Sequence, residues 1–277
     1  MKIKNDIIEL EVIEEGGEIQ SLLFDGREVM WQGSENHWKG KNPTLFPLVG
    51  NTYSKSYQID GKTYAMKNHG LIRYSNLVCV KHTEDEIVME LKDNEETLSK
   101  YPFRFTYQIK YSLDKNIVKV DYFIRNDGQR DMPFTFGLHP GFNVRNFADS
   151  YLQYEKKETV KHIVFSEGPV YERDVTLDIW PLSYDEIMKY QTIIYKGVES
   201  KYVRLVQKDY TVKMNFEGYP YFALWTSDDK APFICLEPWY GHTDFQEVKV
   251  EFKDREGMMS LKPGQVFETG YSIELIK

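Results

Sequence analysis

Apolar and polar residues alternate along much of this chain, which is the pattern of β-strands with one buried and one solvent-facing side. The alternation is strict from Phe103 to Leu113, where every second residue is Phe, Tyr, Ile or Leu. The stretches that begin at Val118, Val212 and Val248 have the same period of two. Strands are therefore predicted at all four places.

Two short turns are predicted from Asp-Gly pairs that lie between such stretches. Asp25 and Gly26 separate SLLF from REVMW, and Asp60 and Gly61 separate SYQI from KTYAM. A two-residue hairpin of type I′ needs positive φ at both positions, which Gly tolerates without strain. Both pairs therefore indicate tight β-hairpins.

Helical periodicity is nearly absent, and only LSYDEIMKYQ, residues 182 to 191, is long enough for two or three turns. The sequence therefore predicts an all-β protein of large β-sandwich or barrel type. Typical strands of about 5 to 6 residues give about 15 to 20 strands in a chain of this size. No linker or repeat interrupts the pattern, so we expect one domain over residues 1–277.

Composition narrows the partners and the compartment. The chain has 277 residues and a net charge of -8, with no basic run interleaved with aromatics, so nucleic acid and membrane surfaces are excluded as expected partners. The N-terminus lacks the apolar segment of a secretory signal, and no apolar stretch is long enough to span a membrane. Cys79 and Cys235 are the two thiols. They predict a reducing cytoplasm without disulfides.

Three residues at the ends of apolar stretches are candidates for chemistry: His69 in KNHGLIRY, His139 in FGLHPGFN and Glu237 in ICLEPWYG. A carboxylate and an imidazole can remove and deliver protons, so the set could be general acid/base machinery. The same residue types also make a two-His, one-carboxylate metal site, and spacing does not separate the two. The other four histidines lie in polar surroundings, where surface placement is expected: His37, His82, His162 and His242.

Four blocks of sequence occur in an order that resembles the aldose 1-epimerase, or galactose mutarotase, family. They are NPTLFPLVGN (42 to 51), KNHGLIR (67 to 73), GLHPGFN (137 to 143) and ICLEPWYG (234 to 241). The resemblance is strongest to the bacterial branch encoded among sugar-utilisation genes. It implies a β-supersandwich, the galactose mutarotase-like fold, over the whole chain.

The resemblance also implies an activity that needs no cofactor and no metal, the interconversion of the α and β anomers of a free aldose. Glu237 matches the base that acts on the anomeric hydroxyl. His139 matches the acid that protonates the ring oxygen, and His69 matches a second histidine that holds and polarises the sugar. A small-molecule aldose is thus the expected partner.

Further residues are candidates for sugar binding. Trp239 and Phe142 could form aromatic walls against a pyranose, with core packing as the alternative for both. Arg73 matches an arginine of the family's HGxxR block. Two positions depart from the branch, Asn51 where an arginine is common and Gln191 where an acidic residue is common. Both are candidate contacts that bear on which sugar is bound.

Two other functions fit the same residues. A hexose-6-phosphate 1-epimerase would use the same acid and base, whereas a non-catalytic sugar-binding protein would keep Trp239 and Arg73 without needing His139 and Glu237 together. The preferred sugar is not fixed by the sequence, and either a monomer or a homodimer is compatible with it.

Overall fold

Strands of antiparallel β-sheet form about half of the chain in the computed structural model, which describes residues 1–277. There are 23 strands and two short α-helices, so the all-β prediction is confirmed. The strand count exceeds the predicted range of about 15 to 20 because several strands are only two or three residues long, shorter than the usual 5 to 6 or so.

Each half of the chain contributes one of the two helices and about half of the strands. The first half contains β1 (Lys2–Lys4), β2 (Ile8–Val12), β3 (Ile19–Phe24), β4 (Arg27–Glu28), β5 (Thr44–Leu45), β6 (Ser56–Ile59), β7 (Lys62–Ala65), β8 (Val78–His82), β9 (Glu86–Lys92), α1 (Glu95–Lys100), β10 (Phe105–Asp114), β11 (Ile117–Asn126), β12 (Met132–Phe134) and β13 (Phe136–Leu138). The second half contains β14 (Gly141–Asn143), β15 (Tyr151–Val164), β16 (Tyr171–Pro181), α2 (Tyr184–Tyr190), β17 (Ile193–Lys196), β18 (Tyr202–Val206), β19 (Thr211–Asn215), β20 (Tyr221–Trp225), β21 (Phe233–Tyr240), β22 (Met259–Leu261) and β23 (Val266–Ile276).

The alternating stretches form strands at three of the four predicted places, as β10, β11 and β19. The prediction for the stretch that begins at Val248 is wrong. The segment is irregular there and ends in a 3-10 turn at Phe252–Asp254. The carboxylate of Glu251 accepts the backbone N–H groups of Asp60 and Gly61, so this segment binds the tip of a hairpin. Its only strand pairing is an isolated bridge between Glu251 and Gln58 of β6.

Both Asp-Gly hairpins form as predicted. Asp25 and Gly26 have φ of 54° and 72° between β3 and β4, and Asp60 and Gly61 have φ of 50° and 72° between β6 and β7. Positive φ at both central residues is the mark of the type I′ turn.

The predicted helix is α2, whereas α1 has no counterpart in the prediction. α1 is only six residues long, too short to show a helical period. A capping box stabilises it: Asn94 accepts the N–H of Thr97, and the hydroxyl of Thr97 accepts the N–H of Asn94. Neither helix has the length and apolar character that crossing a membrane requires.

The largest sheet has fifteen strands and folds over so that its two ends pack against each other. Its strands follow the order β5, β13, β21, β20, β17, β15, β18, β19, β23, β11, β10, β9, β8, with β14 added beside β21 and β16 beside β15. Phe136 on β13 contacts Tyr122 on β11, with ring centres 5.1 Å apart, although many strands separate the two in that order. The two ends of the sheet therefore form two packed layers, the predicted β-sandwich.

A core of 63 buried apolar residues fills the space between the layers and runs from Ile3 to Leu275. β21 borders this core with one face only. Ile234 and Leu236 point into it, whereas Cys235, Glu237 and the residues in step with them point to the opposite face. That opposite face of β21 is where the candidate functional residues lie.

β21 holds Glu237 and Pro238 in regular strand structure. The strand runs on through Glu237 and Pro238 to Tyr240. Pro238 lies opposite Phe222 on β20, and Glu237 lies opposite Ala223. Glu237 is therefore held in the middle of a paired strand, which orients its side chain more rigidly than a turn would.

Candidate functional site

A pocket of about 320 Å³ opens on the face of the sheet that points away from the core. Strands β17, β20 and β21 form its floor, and the loops after β4, β5 and β7 and before β14 form its walls. It is lined by Trp38, Gly50, Asn68, His69, Arg73, His139, Phe165, Thr192, Ile194, Trp225, Glu237, Trp239 and Thr243.

Glu237 lies on the floor of the pocket and is only 1% exposed. Ala223, its partner on β20, is small and leaves room for the carboxylate above the sheet. One carboxylate oxygen, Oε2, has no hydrogen-bond partner in the protein. Buried polar atoms without partners are uncommon and call for an explanation, such as a bound ligand that supplies the missing bond.

His139 is the immediate neighbour of Glu237, with its Nε2 atom 3.4 Å from Glu237 Oε1. It lies between β13 and β14, two short strands that each pair with β21. The ring of Trp38 stacks on that of His139 with a centre separation of 4.8 Å. The structure thus brings together two candidates from distant segments of the sequence and fixes the imidazole plane.

His69 forms a double hydrogen bond with Gly50. The His69 N–H donates to the Gly50 carbonyl at 2.8 Å, and the Gly50 N–H donates to Nδ1 of the His69 ring at 3.1 Å. Because Nδ1 is an acceptor, the ring proton of neutral His69 is on Nε2. The His69 and His139 rings meet edge to face with centres 5.4 Å apart, so His69 presents a fixed donor beside His139.

Burial makes the charged forms of these groups unfavourable. It raises the pKa of Glu237 well above its usual range, while Trp239 and Arg73 act in the opposite direction. It lowers the pKa of His139 to about 3, with the charge of Arg73 as the second cause. The pKa of His69 is lowered by burial too, with smaller contributions from His139 and Arg73. Without a ligand, burial therefore favours the neutral carboxyl of Glu237 and the neutral imidazoles of both histidines.

Arg73 provides the only Lys or Arg side chain in the pocket lining. It belongs to a 3-10 turn, Ile72–Tyr74, that follows Gly70. Its guanidinium lies 5.2 Å from the centre of the Tyr74 ring and forms no ion pair with a carboxylate. Its donors therefore remain available to a ligand.

Two predicted aromatic walls have different positions. Trp239 lines the pocket, and its Nε1–H donates to the Leu138 carbonyl at 3.2 Å. Phe142 lies in the main core with 0% exposure, so its prediction as a pocket wall is wrong. The reason is its register: Phe142 lies opposite Ile234, which faces the core side of β21.

Asn51 and Gln191 also lie outside the pocket lining, contrary to prediction, and both side chains are exposed. Asn51 contributes its backbone instead, because its N–H donates to the Thr243 hydroxyl and its carbonyl accepts the Asp244 N–H. Gln191 ends α2 with φ of 60°, and this reversal directs the following residue, Thr192, to the pocket.

Comparison with known proteins gives the pocket its context. The family model described as aldose 1-epimerase matches residues 1–274. The chain belongs to the aldose 1-epimerase family. This confirms the family resemblance predicted from the four sequence blocks, and membership supports a role as a sugar epimerase or mutarotase.

Relatives of this aldose 1-epimerase family member match it over their full length. The chromosomal protein LacX of Lactococcus lactis is 23% identical, and the match covers 100% of this chain and 99% of LacX. A galactose mutarotase related enzyme from Lactobacillus acidophilus has a TM-score of 0.93 at 29% identity, covering 100% of this chain and 97% of that one. A galactose mutarotase-like protein from Lactobacillus casei has a TM-score of 0.90 at 27% identity, covering 99% of both chains. The fold is thus that of the family.

Sequence reasoning missed much of the aromatic lining of this family member. Trp38, Trp225 and Phe165 line the pocket, and Trp225 meets the His139 ring edge to face at 5.3 Å. One signal was available, since Trp38 lies in a stretch rich in glycine and polar residues, where a large aromatic side chain has few core partners.

The expectation of surface placement for the remaining four histidines is wrong for His162, which is only 2% exposed. It lies on β15, and Arg173 of β16 donates to its Nδ1 atom. His242 is largely buried as well, because it stacks on Phe245 with ring centres 4.9 Å apart. His82 is exposed on β8, and His37 is partly exposed and paired with Asp228.

The possible metal ligands that lie close together differ from the predicted set of two histidines and one carboxylate. His139, Cys235 and Glu237 each offer a ligand atom, and these atoms lie within 4.8 Å of one another. His69 is not part of this group, and its Nδ1 atom already accepts the Gly50 N–H. The thiol of Cys235 joins the group because it lies two residues before Glu237 on the same face of β21.

Proposed function

We propose that this protein is an aldose 1-epimerase that interconverts the α and β anomers of a free aldose of the galactose or glucose type. The observation that carries the proposal is the 3.4 Å approach of His139 Nε2 to Glu237 Oε1 on the floor of an open pocket. Ring opening needs one proton removed from the anomeric hydroxyl and one delivered to the ring oxygen, at atoms about 2 to 3 Å apart. Two groups this close can serve both oxygens at once.

The proton balance of the reaction fits a pair that shares one dissociable proton. Glu237, as the carboxylate, accepts the proton of the anomeric hydroxyl. The bond from the anomeric carbon to the ring oxygen breaks, and protonated His139 gives its proton to that oxygen. The open aldehyde then faces a neutral carboxylic acid and a neutral imidazole. After rotation about the bond to the aldehyde carbon, the same transfers run backwards and close the ring on the other face.

Burial favours the neutral state of the pair, which is the state that accompanies the open aldehyde. Moving the shared proton from Glu237 to His139 produces the charged state needed for ring opening, and no proton has to come from solvent. The positive charge of Arg73 acts on both groups by favouring the carboxylate and disfavouring the imidazolium. Sugar hydroxyls that bond to Glu237 would complete the stabilisation of the carboxylate.

The remaining lining residues hold the sugar. His69 donates from Nε2, since Gly50 occupies its Nδ1. The guanidinium of Arg73 is available for hydroxyl groups, and Trp239, Trp38 and Trp225 provide apolar faces for the C–H groups of a pyranose. No step uses a cofactor or a metal ion.

The decisive measurement is the anomeric exchange rate of galactose and glucose, followed by saturation-transfer NMR or polarimetry. The protein should raise this rate above that of the buffer, and Glu237→Gln should return it close to the buffer rate. If the purified protein leaves the exchange of all tested aldoses unchanged, but still binds them, it is a sugar-binding protein instead.

A hexose-6-phosphate 1-epimerase is a second candidate because Arg73 is a cation without a carboxylate partner in the lining. The same assay on glucose 6-phosphate and galactose 6-phosphate distinguishes the two. We expect the free sugars to react faster, since one arginine alone faces the ligand and the side chain of Asn51 is directed to solvent.

A further inference from the structure

A thiol lies beside the proposed acid and base, and the proposed reaction does not use it. Cys235 is fully buried and precedes Glu237 by two residues on β21, so both side chains leave the strand on the same face. The ligand atoms of Cys235, Glu237 and His139 lie within 4.8 Å of one another. His139 Nε2 and Glu237 Oε1 are 3.4 Å apart.

The chemistry of these three donors matches zinc. Zn²⁺ is bound at about 2.3 Å by thiolate, about 2.0 to 2.1 Å by imidazole and about 2.0 to 2.2 Å by carboxylate, so ligand atoms at the corners of its tetrahedron are about 3.3 to 3.8 Å apart. The 3.4 Å edge already has this length. The other two edges are at most 4.8 Å long, so they need a contraction of no more than about 1 Å, of the size that rotation of the Glu237 and Cys235 side chains supplies.

An unpartnered polar atom provides an independent indication of a ligand. Oε2 of Glu237 is buried without a hydrogen-bond partner. His139 and Glu237 are each more than nine-tenths buried and line the pocket. A cation bound between His139 and Glu237 would give Oε2 of Glu237 the partner that its apolar surroundings do not provide.

We propose that His139, Cys235 and Glu237 form a zinc site whose fourth position faces the pocket. Zinc and sugar compete, because both use His139 and Glu237. Zn²⁺ would therefore act as an inhibitor that blocks the acid and base together. Only this inhibitory effect rests on the proposed function; the binding of the ion does not.

The test uses Co²⁺ as a spectroscopic probe in a background with one thiol. Cys79 lies on β8, away from the pocket, and Cys79→Ser leaves Cys235 as the only cysteine. This variant should show a thiolate-to-cobalt charge-transfer absorption that Zn²⁺ abolishes by displacement. Adding Cys235→Ser or Cys235→Ala should remove the absorption and weaken Zn²⁺ binding at least tenfold by calorimetry. Absence of the absorption in Cys79→Ser, or equal Zn²⁺ affinity after Cys235 is replaced, overturns the proposal.

X-ray absorption at the zinc edge covers the case in which the Cys235 variants fail to fold. Zn²⁺ bound to the Cys79→Ser protein should have one sulfur neighbour at about 2.3 Å. A first shell of nitrogen and oxygen alone overturns the proposal. Anomeric exchange measured with and without Zn²⁺ then tests inhibition, and its failure would not affect the binding result.

Discussion

Gly50 and His69 are joined by two hydrogen bonds, one from the His69 N–H to the Gly50 carbonyl and one from the Gly50 N–H to the His69 ring. Both residues have left-handed backbones, with φ of 68° and 66°. A β-carbon on Gly50 would come within 2.4 Å of the Thr243 β-carbon. Gly50 therefore fixes both the tautomer of His69 and the approach of the Thr243 loop.

Gly50→Ala should lower kcat/KM by about tenfold or more, since displacement of Thr243 and His69 disturbs two pocket walls. Anomeric exchange and the midpoint of urea unfolding are the measurements. The matched control is Gly61→Ala, which has a similar φ of 72° and no atom within 4 Å of the added methyl. It should cost about 1 kcal/mol of stability from backbone strain and leave activity unchanged. Equal losses of activity in both variants would contradict the role of Gly50.

Glu237→Gln and His139→Asn should each lower kcat by about 10² to 10⁴, because each removes one positioned proton-transfer group. Both changes keep the size of the side chain close to the original, so thermal unfolding should remain cooperative. The double variant should lose little more than either single one, since the two residues act as a unit. If the two losses in kcat multiply in the double variant, the residues act independently, which would contradict a shared proton.

The pH profile of kcat/KM should have no acid limb near neutrality. The pair is active while it carries one dissociable proton. As the pH falls, His139 takes up a second proton and no base remains, but its pKa of about 3 places this loss in strong acid. As the pH rises, the last proton leaves with the pKa of Glu237, which lies well above the usual carboxyl range. An acid limb centred near 6.5, the ordinary value for histidine, would contradict the assignment.

The loop that carries Trp38 is held by a hydrogen bond outside the pocket. His37 Nδ1 lies 2.8 Å from Asp228 Oδ2, next to the Trp38 ring that stacks on His139. Asp228→Asn should raise KM about two- to fivefold with little change in kcat, as expected for an interaction of about 1 kcal/mol or less. His37→Gln should give the same shift, and the double variant no additional one. Additive shifts in KM would show that the two residues act separately.

Acid should destabilise the folded protein through its buried histidines. Burial, with the charge of Arg173, lowers the pKa of His162 to about 4, so between pH 6.5 and 4 the unfolded chain binds the proton and the folded chain does not. Stability therefore falls as the pH falls through this range, by up to about 1 kcal/mol per pH unit for each such histidine. His162→Gln should reduce the slope measured by urea unfolding, whereas His82→Gln, an exposed control, should leave it unchanged.

The sequence predicted the fold well because the alternating pattern is local. β10 and β11 face the core with every second residue, and that period is visible in the letters alone. The Val248 segment has the same period but binds the tip of a hairpin through Glu251. No local pattern separates the two cases, since the difference is whether a neighbouring strand pairs along the whole segment or at one residue only.

The pocket was predicted in part, because its members come from distant segments. Family motifs pointed to Glu237, His139, His69 and Arg73, all of which line it, as does Trp239, a candidate aromatic wall. Phe142 was misplaced because the face on which a strand residue lies depends on register with its neighbour, and register is not encoded in a three-residue strand. Trp38 was missed because its approach to His139 depends on how its loop returns over the sheet. Trp225 was missed because its approach depends on the pairing of β20 with β21.

One face of β21 packs in the core and the other lines the pocket. Adjacent residues of the strand lie on opposite faces, so a shift of one residue exchanges the two. A single insertion or deletion in this strand would turn Leu236 to the pocket and Glu237 to the core. We therefore expect β21 to tolerate substitution far better than any change of length. A change of sugar preference would therefore have to come from the loops that carry Trp38 and Thr243 at the edge of the pocket. These loops can vary without changing the strand pairing of β21.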